Sequence, residues 1–309
     1  MISDIKYYFY FLVVLSIISC ERGDNLSVEL CYSNPELSIN DVRRFQDNLS
    51  FVVGDTWTQG NVLFADQSMC DSNIQLSVNA LLSLDTEGNN IYSVGMNNNI
   101  WHFDAFNWHE RVIDSNLVMR DIVVSDDHLI LAGGLAFFQG YIQVVSKSNF
   151  KLLTSQRFEQ QLNAVACTQT GKCLAVGYGV VYKSDDSGLS WQLSTEHPTD
   201  HFIDIELGSE DVFYILGSSG RVLMSIDGNE FVDLGTGSNF AGDYRDICIS
   251  EDLKLILGAE QGKLDIYDIK QDKWSNYKIG NQHDIFCVST FDDQIYIGTR
   301  QGEILKLNI

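Results

Sequence analysis

The strongest constraint on the fold is a short apolar strand that ends in glycine and recurs at nearly constant spacing along the chain. Its seven copies, from SFVVG to IYIG, end at Gly54, Gly95, Gly133, Gly177, Gly217, Gly258 and Gly298. The intervals between successive glycines are 41, 38, 44, 40, 41 and 40 residues. A fixed period of this length indicates that each repeat is one supersecondary unit. We therefore expect seven copies of the same structural unit.

Each copy carries further strand signals on both sides of its glycine. Twelve to fifteen residues earlier, a polar residue precedes an apolar strand, as in RDI at 245–247. After the glycine come a tight turn, a third strand such as KLDIYD at 263–268, and a turn that leads to an aromatic residue. Four short strands in a period of about 40 to 45 residues are typical of propeller blades. The sequence predicts an all-β fold, a seven-bladed β-propeller of four-stranded antiparallel blades.

The two ends of the repeat region predict how the ring closes. The seventh unit stops at Ile309 after three strands, whereas an additional strand, NLSVELCYS at 25–33, precedes the first unit. We expect this N-terminal strand to complete the last blade, because closure removes the exposed edges of an open array. Residues 20–309 should then form a single propeller domain with one continuous core of stacked sheets.

The octet SDDSGLSW at 184–191 is the most specific motif in the chain. Its residues Ser184, Asp186, Gly188 and Trp191 match every defined position of the Asp-box, also called the bacterial neuraminidase repeat. In a hairpin, the Ser and Asp oxygens accept turn N–H groups, the glycine takes φ > 0, and the tryptophan packs the turn onto the sheet. We interpret the octet as a structural element, and use as a metal or catalytic site is the alternative.

The complete repeat phrase resembles the propellers of photosystem II assembly factor-like proteins. The phrase consists of a polar opening, an apolar strand ending in glycine, a tight turn and an Asp-box. The resemblance spans roughly residues 36–309 and is strongest in the fourth and fifth units, the fifth with a shortened octet at 225–231. It implies a seven-bladed propeller that handles other proteins during assembly. A fold does not by itself give a function.

An enzyme of the same fold is the alternative, because sialidases also carry Asp-boxes. Sialidase sites are expected to contain an arginine cluster introduced by an Arg-x-Pro element. This chain has two prolines, Pro35 and Pro198, and they follow Ser33 and Glu196 at that spacing. The sequence also lacks a P-loop, a G-x-S-x-G elbow and an H-E-x-x-H helix. We predict no catalytic residues, metal or cofactor, although two carboxylates converging for glycoside hydrolysis stay open as an alternative.

Charged residues recur at the start of the first strand of the unit. Five aspartates share this place, namely Asp41, Asp121, Asp204, Asp246 and Asp284. Ring geometry would gather them near one mouth of the central channel. We predict a polar binding mouth that is formed by Arg120, Asp121, Arg245, Asp246, Asp284 and Arg300. The alternative is that each aspartate accepts hydrogen bonds from turns of its own blade and contacts no ligand.

The charge balance argues against nucleic acid as a partner. The chain has 42 Asp and Glu residues against 20 Lys and Arg, and its net charge is -22. Binding to nucleic acid by counterion release requires clustered Lys and Arg, and anionic lipid would repel such an acidic surface. We expect the partner to be another envelope or extracellular protein, with a glycan as the alternative.

The first nineteen residues have the anatomy of an export signal. Lys6 precedes an apolar run from Tyr7 to Ile18, which is short for a membrane span. The run leads into Ile-Ile-Ser before Cys20. This pattern resembles the lipobox of bacterial lipoproteins, in which the cysteine is acylated and becomes the mature N-terminus. It implies a bacterial envelope protein that is attached to the membrane through lipid on Cys20; an ordinary cleavage site beside a chance cysteine is the alternative.

Six cysteines follow Cys20, an even number that permits disulfides in an exported chain. Two of them, Cys167 and Cys173, flank the hairpin-like turn TQTGK. We predict a cross-strand disulfide between these two, and the pairing of Cys31, Cys70, Cys248 and Cys287 stays open. Zinc is the competing interpretation, but the sequence contains no CxxC and no histidine at ligand spacing from a cysteine.

Overall fold

The chain folds almost entirely into β-strands. The computed structural model describes residues 27–46, 48–54, 59–65, 72–113, 117–135, 137–237, 239–240, 242–280, 283–292 and 294–308. Within these ranges lie twenty-six strands and three 3₁₀ turns, at Met96–Asn98, Ser209–Asp211 and Glu260–Gly262. In this part of the chain, no helix is long and apolar enough to cross a bilayer. The export signal, Cys20 and Cys70 lie outside the described residues.

The strands form antiparallel sheets in which neighbours in sequence pair with each other. Sheet 1 consists of β2 (Ser38–Phe45), β3 (Asn48–Gly54), β4 (Gly60–Ala65) and β5 (Ser72–Val78). Sheet 2 consists of β6 (Leu81–Glu87), β7 (Asn90–Gly95), β8 (Asn99–Phe103) and β9 (Trp108–Val112). Sheet 3 consists of β10 (Met119–Val124), β11 (His128–Leu135), β12 (Gln139–Ser146) and β13 (Leu152–Phe158).

Sheet 4 is larger, with six strands in the described part of the chain. It consists of β14 (Leu162–Cys167), β15 (Cys173–Ser184), β16 (Gln192–Leu207), β17 (Phe213–Gly217), β18 (Arg221–Ser225) and β19 (Val232–Thr236). Sheet 5 consists of β20 (Tyr244–Ile249), β21 (Lys254–Ala259), β22 (Lys263–Asp268) and β23 (Lys273–Lys278).

Sheet 6 joins the two ends of the chain. It consists of β24 (Ile285–Phe291), β25 (Gln294–Thr299), β26 (Glu303–Asn308) and the N-terminal strand β1 (Ser27–Ser33). β1 pairs with β26 in antiparallel register, from Ser27 opposite Asn308 to Ser33 opposite Glu303. The C-terminal three strands therefore receive their fourth strand from the start of the described chain.

The first strands of the repeat units form a closed ring of contacts. In order around the ring, β2, β6, β10, β14, β16, β20 and β24 each contact the next, and β24 contacts β2. An apolar core fills the space where the ring closes: Ile39 and Val42 of sheet 1 pack with Phe291 and Tyr296 of sheet 6. Sheets that bury both faces against their neighbours around an axis form a β-propeller, as the repeat predicts.

Several of the repeated glycines mark places where two backbones approach closely. A Cβ atom on Gly133 would lie 2.2 Å from the carbonyl oxygen of Val118, and one on Gly177 would lie 2.0 Å from that of Gln161. Contacts this short are sterically forbidden, so any larger residue would push the inner two strands of the sheet apart. Close approach of the backbones is therefore the physical reason for glycine at these two positions. At Gly258 and Gly298, an added Cβ atom would instead meet the side chains of Ile285 and Cys287.

The predicted disulfide between Cys167 and Cys173 is confirmed. These residues lie directly opposite each other at the ends of β14 and β15, with their Cα atoms 4.1 Å apart. Of the remaining cysteines, Cys248 and Cys287 are buried free thiols.

Every inner strand carries a bulge at the same place. The register with the second strand shifts by one residue, for example between Met119 and Asp121 in β10 and between Tyr244 and Asp246 in β20. We call the first residue after this shift the bulge position. Its occupants around the ring are Asp41, Ser83, Asp121, Ala164, Asp204, Asp246 and Cys287.

Carboxylates at or near the bulge position connect successive inner strands. Each accepts a hydrogen bond from a backbone N–H of the next inner strand, at 2.6–3.1 Å. The pairs are Asp41 with Leu84, Asp85 with Val124, Asp121 with Val165, Asp204 with Ile247 and Asp246 with Val288. The expectation that these aspartates bond turns of their own blade is therefore wrong. A bulge changes the direction of the side chain, so the carboxylate oxygen reaches the backbone of the neighbouring sheet.

This contact can be tested at Asp121, which also accepts a hydrogen bond from Ser83 Oγ at 2.9 Å. Replacing Asp121 with Ala leaves the Val165 N–H and the Ser83 hydroxyl without their acceptor, which costs about 1–3 kcal/mol for each buried group. We expect the free energy of unfolding, measured by urea denaturation, to fall accordingly. Asp121→Asn keeps an acceptor oxygen and should retain most of the stability. Asp126→Ala, in an exposed turn nearby, is the control; equal stability of the two alanine variants would contradict the role of the contact.

Candidate functional site

The octet forms a closed hairpin between β15 and β16. The Ser184 hydroxyl donates to Asp186 Oδ1 at 2.8 Å and accepts from the Gly188 N–H at 2.9 Å. Asp186 also accepts from the N–H and the hydroxyl of Ser190, at 2.8 and 2.6 Å. Gly188 has φ 81°, a conformation that favours glycine. The polar side chains of the octet are thus engaged within the turn itself.

Trp191 fixes this hairpin to the body of the protein. Its side chain is buried, and Nε1 donates to the carbonyl oxygen of Gly188 at 2.7 Å. The ring belongs to an apolar cluster that includes Ile130 and Val144 of sheet 3. The octet therefore attaches one sheet to the next, which agrees with its interpretation as a structural element.

Two residues per inner strand face the axis of the ring. Side chains alternate along a strand, so the bulge position and the residue two places later share one face. The second set contains Arg43, Asp85 and Glu206, three charged residues for which the sequence analysis made no prediction. We use the name axial cluster for the group formed by Asp41, Arg43, Asp85, Asp121, Asp204, Glu206 and Asp246. In the sequence, Arg43, Asp85 and Glu206 are recognisable as the charged positions two places after a bulge position.

The axial cluster holds six carboxyl groups and one guanidinium group. The Oδ1 atom of Asp41 lies 3.7 Å from Arg43 Nε, and this carboxylate raises the pKa of Arg43 well above its usual value. The charges of Glu206, Asp246 and Asp85 act on Arg43 in the same direction. Side chains from sheets 1, 2, 4 and 5 therefore converge on one arginine at the axis.

Burial raises the pKa values of five carboxyl groups of the axial cluster, those of Asp41, Asp85, Asp121, Glu206 and Asp246. The pKa is about 6 for Asp85, about 7 for Asp121 and about 8 for Glu206. Burial also raises the pKa of Asp246, and repulsion by the nearby Asp204 raises it further. Loss of hydration disfavours the charged form of a carboxyl group, and one arginine does not compensate six such groups. The axial cluster is consequently partly protonated near neutral pH.

The predicted mouth residues separate into three groups. Asp121 and Asp246 belong to the axial cluster, where their oxygens bridge inner strands. Asp284 precedes β24 and does not share their position, because the bulge position of that strand is Cys287. Instead, Asp284 Oδ1 accepts from the Gln261 N–H at 2.9 Å, and its Oδ2 lies 4.0 Å from Arg300 Nη1. The equivalence of Asp284 with the other four aspartates is wrong.

Arg120 and Arg245 lie near a tyrosine that the sequence analysis did not single out. Burial raises the pKa of Tyr178, and the guanidinium groups of Arg120 and Arg245 partly oppose this rise. Arg245 is paired with Glu260 and lies over the Phe286 ring at 6.0 Å from its centroid. The structure therefore brings two of the three predicted arginines to one region at the end of the ring.

A surface depression lies between sheets 5 and 6. It has a volume of about 500 Å³ and is lined by the β20–β21 turn, including Ser250, Asp252 and Lys254. Lys254 Nζ is 2.7 Å from Asp252 Oδ2, so these charges satisfy each other. Within the described ranges, no group of three His, Cys, Asp or Glu side chains is placed to hold a metal ion.

Comparisons with known proteins identify the fold alone. No family model matches the chain, and no curated protein matches it in sequence. The WD40 β-propeller domain of Doa1 is 10% identical, with a TM-score of 0.73 over 91% of this chain and 97% of that chain. Virginiamycin B lyase from Staphylococcus aureus is 9% identical, with a TM-score of 0.74 over 92% of this chain and 99% of that chain.

A computationally designed protein, Ika8, is also similar, at 12% identity and a TM-score of 0.66 over 90% of this chain and 98% of that chain. Identities this low carry no information about activity. The β-propeller arrangement of four-stranded sheets is therefore shared, and function has to be argued from the residues of this chain.

The axial cluster predicts a pH dependence of stability that can be measured at Glu206. Its folded pKa of about 8 lies above the unfolded value, which is about 4.3. The folded state therefore binds more protons between these values, and the free energy of unfolding falls as pH rises through this window. Glu206→Gln removes this loss, so at pH ~9 the variant should exceed the wild type by at least about 1.4 kcal/mol, the equivalent of one pKa unit.

At pH ~3.5, below the unfolded pKa of about 4.3, Glu206 is largely protonated in both the folded and the unfolded state, and the advantage of Glu206→Gln in urea denaturation should disappear. Glu159→Gln, at an exposed position, serves as the matched control and should show no such pH dependence. A difference between Glu206→Gln and wild type that stays constant with pH would rule out the titration.

Proposed function

We propose that this chain is a binding or assembly module that captures a partner protein at the end of the propeller where Arg120 and Arg245 lie, and that it turns over no substrate. The observation that carries the proposal is that Arg120 and Arg245 lie near Tyr178, whose ring packs against the exposed Phe137. Arginine and aromatic side chains are the residue types in which interface binding energy concentrates. The acids Asp41, Asp121 and Asp246 are engaged elsewhere, in hydrogen bonds between inner strands.

Seven blades are the count that the pairing pattern supports. Within β15, residues 173–177 pair with β14 and residues 180–183 pair with β16, and Gly179 between them has φ 71°, which is typical of a turn. Within β16, residues up to His201 pair with β15, and residues from Phe202 pair with β17. Divided at these places, sheet 4 becomes two four-stranded blades. Together with sheets 1, 2, 3, 5 and 6, they make seven.

The Asp-box resemblance supports the same functional class. The octet at 184–191 and its shortened relative at 225–231 both close hairpins, and the Ser225 hydroxyl accepts from the Gly228 N–H at 2.9 Å as Ser184 does from Gly188. A relationship to photosystem II assembly factor-like propellers would make the module one that handles other proteins. The alternative, a carbohydrate-active enzyme or glycan-binding protein, is an outcome of the test below.

The proposal includes attachment of the module to the bacterial envelope through lipid on Cys20. The export-signal anatomy of residues 1–19 supports this attachment. Cys20→Ala should move the chain to the aqueous phase in detergent phase separation of cells that make it. Cys31→Ala is the control and should stay in the detergent phase. A processed Cys20→Ala chain that still enters the detergent phase would show that the anchor lies elsewhere.

Capture of the partner is tested by charge reversal at the predicted mouth. Wild type and a variant with Arg120, Arg245 and Arg300 changed to Glu are cross-linked in native membranes and purified. We expect the specific partner bands of the wild type to be lost. Because Arg245 is paired with Glu260, the melting of the variant is measured alongside, and loss of the bands by a variant that still melts cooperatively supports the proposal. The control carries the same three charge reversals at exposed Arg157, Lys270 and Lys273 and should retain the partner.

The same proteins are then screened against a glycan array and glycoside substrates. Release of sugar by the wild type, abolished by Glu206→Gln or another acid-to-amide change in the axial cluster, would overturn the binding module and establish the enzyme. Partner bands that survive reversal of the three mouth arginines would place the binding surface elsewhere on the molecule.

A further inference from the structure

An exposed aromatic ridge crosses the end of the ring beside Arg120. We define the ridge as Phe137, Phe138, Tyr178 and His201. Phe137 packs edge-on against Tyr178, with ring centroids 4.8 Å apart, and Tyr178 packs edge-on against His201 at the same distance. The residues of Phe137 and Phe138 are 56% and 77% exposed. Water thus reaches the apolar rings of both phenylalanines.

The backbone holds the ridge in place. Phe137 has φ 66°, a left-handed conformation that is rare for a bulky residue. Its carbonyl oxygen accepts from the Gln161 N–H at 3.2 Å, and its own N–H donates to Gln161 Oε1 at 3.4 Å. Backbone conformations of this kind persist where the surroundings impose them, and they concentrate at functional sites. The ring of Phe137 is consequently presented to solvent by a fixed backbone.

Arg120 is a cation in a strongly acidic protein. Several other arginines are paired with carboxylates, for example Arg221 with Asp200 and Asp233, and Arg245 with Glu260. Among the described residues, no carboxylate forms an ion pair with Arg120, and its Nε–H is shielded from water without an acceptor. Burial lowers the pKa of Arg120, and the nearby Tyr178 phenol opposes this effect. An anionic group from outside the chain would supply the missing partner.

We infer that the ridge and Arg120 together bind an extended segment of a partner protein, which lays an apolar side chain on the ridge and directs a carboxylate to Arg120. This inference rests on the proposed binding function and specifies its ligand. Charge complementarity favours an acidic segment at this point, although the chain as a whole repels acids with its net charge of -22. A guanidinium fork binds a carboxylate through two parallel hydrogen bonds, so the pairing gives orientation as well as affinity.

The two parts of the surface make separable contributions to recognition. Rigid aromatic side chains lose little conformational freedom on binding and offer a large apolar contact area. Arg120 adds selectivity, because its guanidinium group forms charge-assisted hydrogen bonds with a carboxylate, whereas an amide offers only a weaker neutral acceptor. A segment with an apolar residue but an amide in place of the acid should therefore bind weakly.

The test is selection from a phage-displayed library of short linear peptides on immobilised full-length protein. Selected sequences should share an Asp or Glu close to an aromatic or aliphatic residue. A selected peptide and its counterpart with Asn or Gln in place of the acid are then synthesised and titrated by fluorescence anisotropy. Wild type should prefer the acidic peptide about tenfold or more, as expected for hydrogen bonds to a charged group.

Two variants separate the contributions. Arg120→Gln should bind both peptides equally, which removes the preference for the acid, whereas a general loss of structure would weaken both. Phe138→Ser should weaken both peptides and keep the preference. Arg157→Gln, a matched change at an exposed position on the outer strand β13, should behave as wild type.

The inference is overturned if no peptide is enriched, if the enriched peptides lack acids, or if Arg120→Gln keeps the preference for the acidic peptide. Binding of acidic sugars in place of peptides on the arrays would also overturn it. The proposed function is judged separately by the membrane cross-linking experiment. If partner capture depends on the mouth arginines but no peptide is selected at the ridge, the proposed binding function is retained and recognition of an acidic segment at the ridge is rejected.

Discussion

The structure depends on side chains that carry hydrogen bonds from one inner strand to the next. A propeller has no sheet that spans the ring, so its sheets are otherwise held by apolar packing, which is non-directional. Five carboxylates bond backbone N–H groups of the next inner strand. At two further junctions, Asn163 Nδ2 donates to the carbonyl oxygen of Phe202, and Cys287 Sγ donates to that of Ile39. These bonds fix the rotational position of each sheet relative to its neighbour.

The same arrangement creates the unusual electrostatics of the axis. A carboxylate that reaches the next inner strand is drawn away from bulk water, and those of several sheets come close to one another. Arg43 supplies one positive charge to six acids, so protonation becomes the remaining way to reduce repulsion. The axial cluster is therefore explained as a consequence of how the ring is assembled. A large pKa shift in this molecule is a weaker indication of catalysis than it would be in an isolated cleft.

The surface at the end of the ring has a different character. There, Arg120 forms no ion pair within the described ranges, and the exposed Phe137 has a left-handed backbone conformation. Neither feature stabilises the folded chain by itself, whereas the axial carboxylates and the octet have evident structural partners. This contrast separates the parts of the molecule that assemble the ring from the part that is free to contact another molecule, and it directs the search for a partner to one region.

The sequence by itself determined what is local. The strand that ends in glycine, the Cys167–Cys173 hairpin and the SDDSGLSW turn each depend on residues within a few positions of one another, so their patterns predicted β-strands, a disulfide and a closed turn. Tertiary structure decided what converges. Arg43 and Glu206 meet at the axis although they lie far apart in the chain. Asp284 does not belong to the axial cluster, because the bulge position of β24 is Cys287. A one-residue bulge and the closure of the ring set these contacts, and neither has a local signature in the chain.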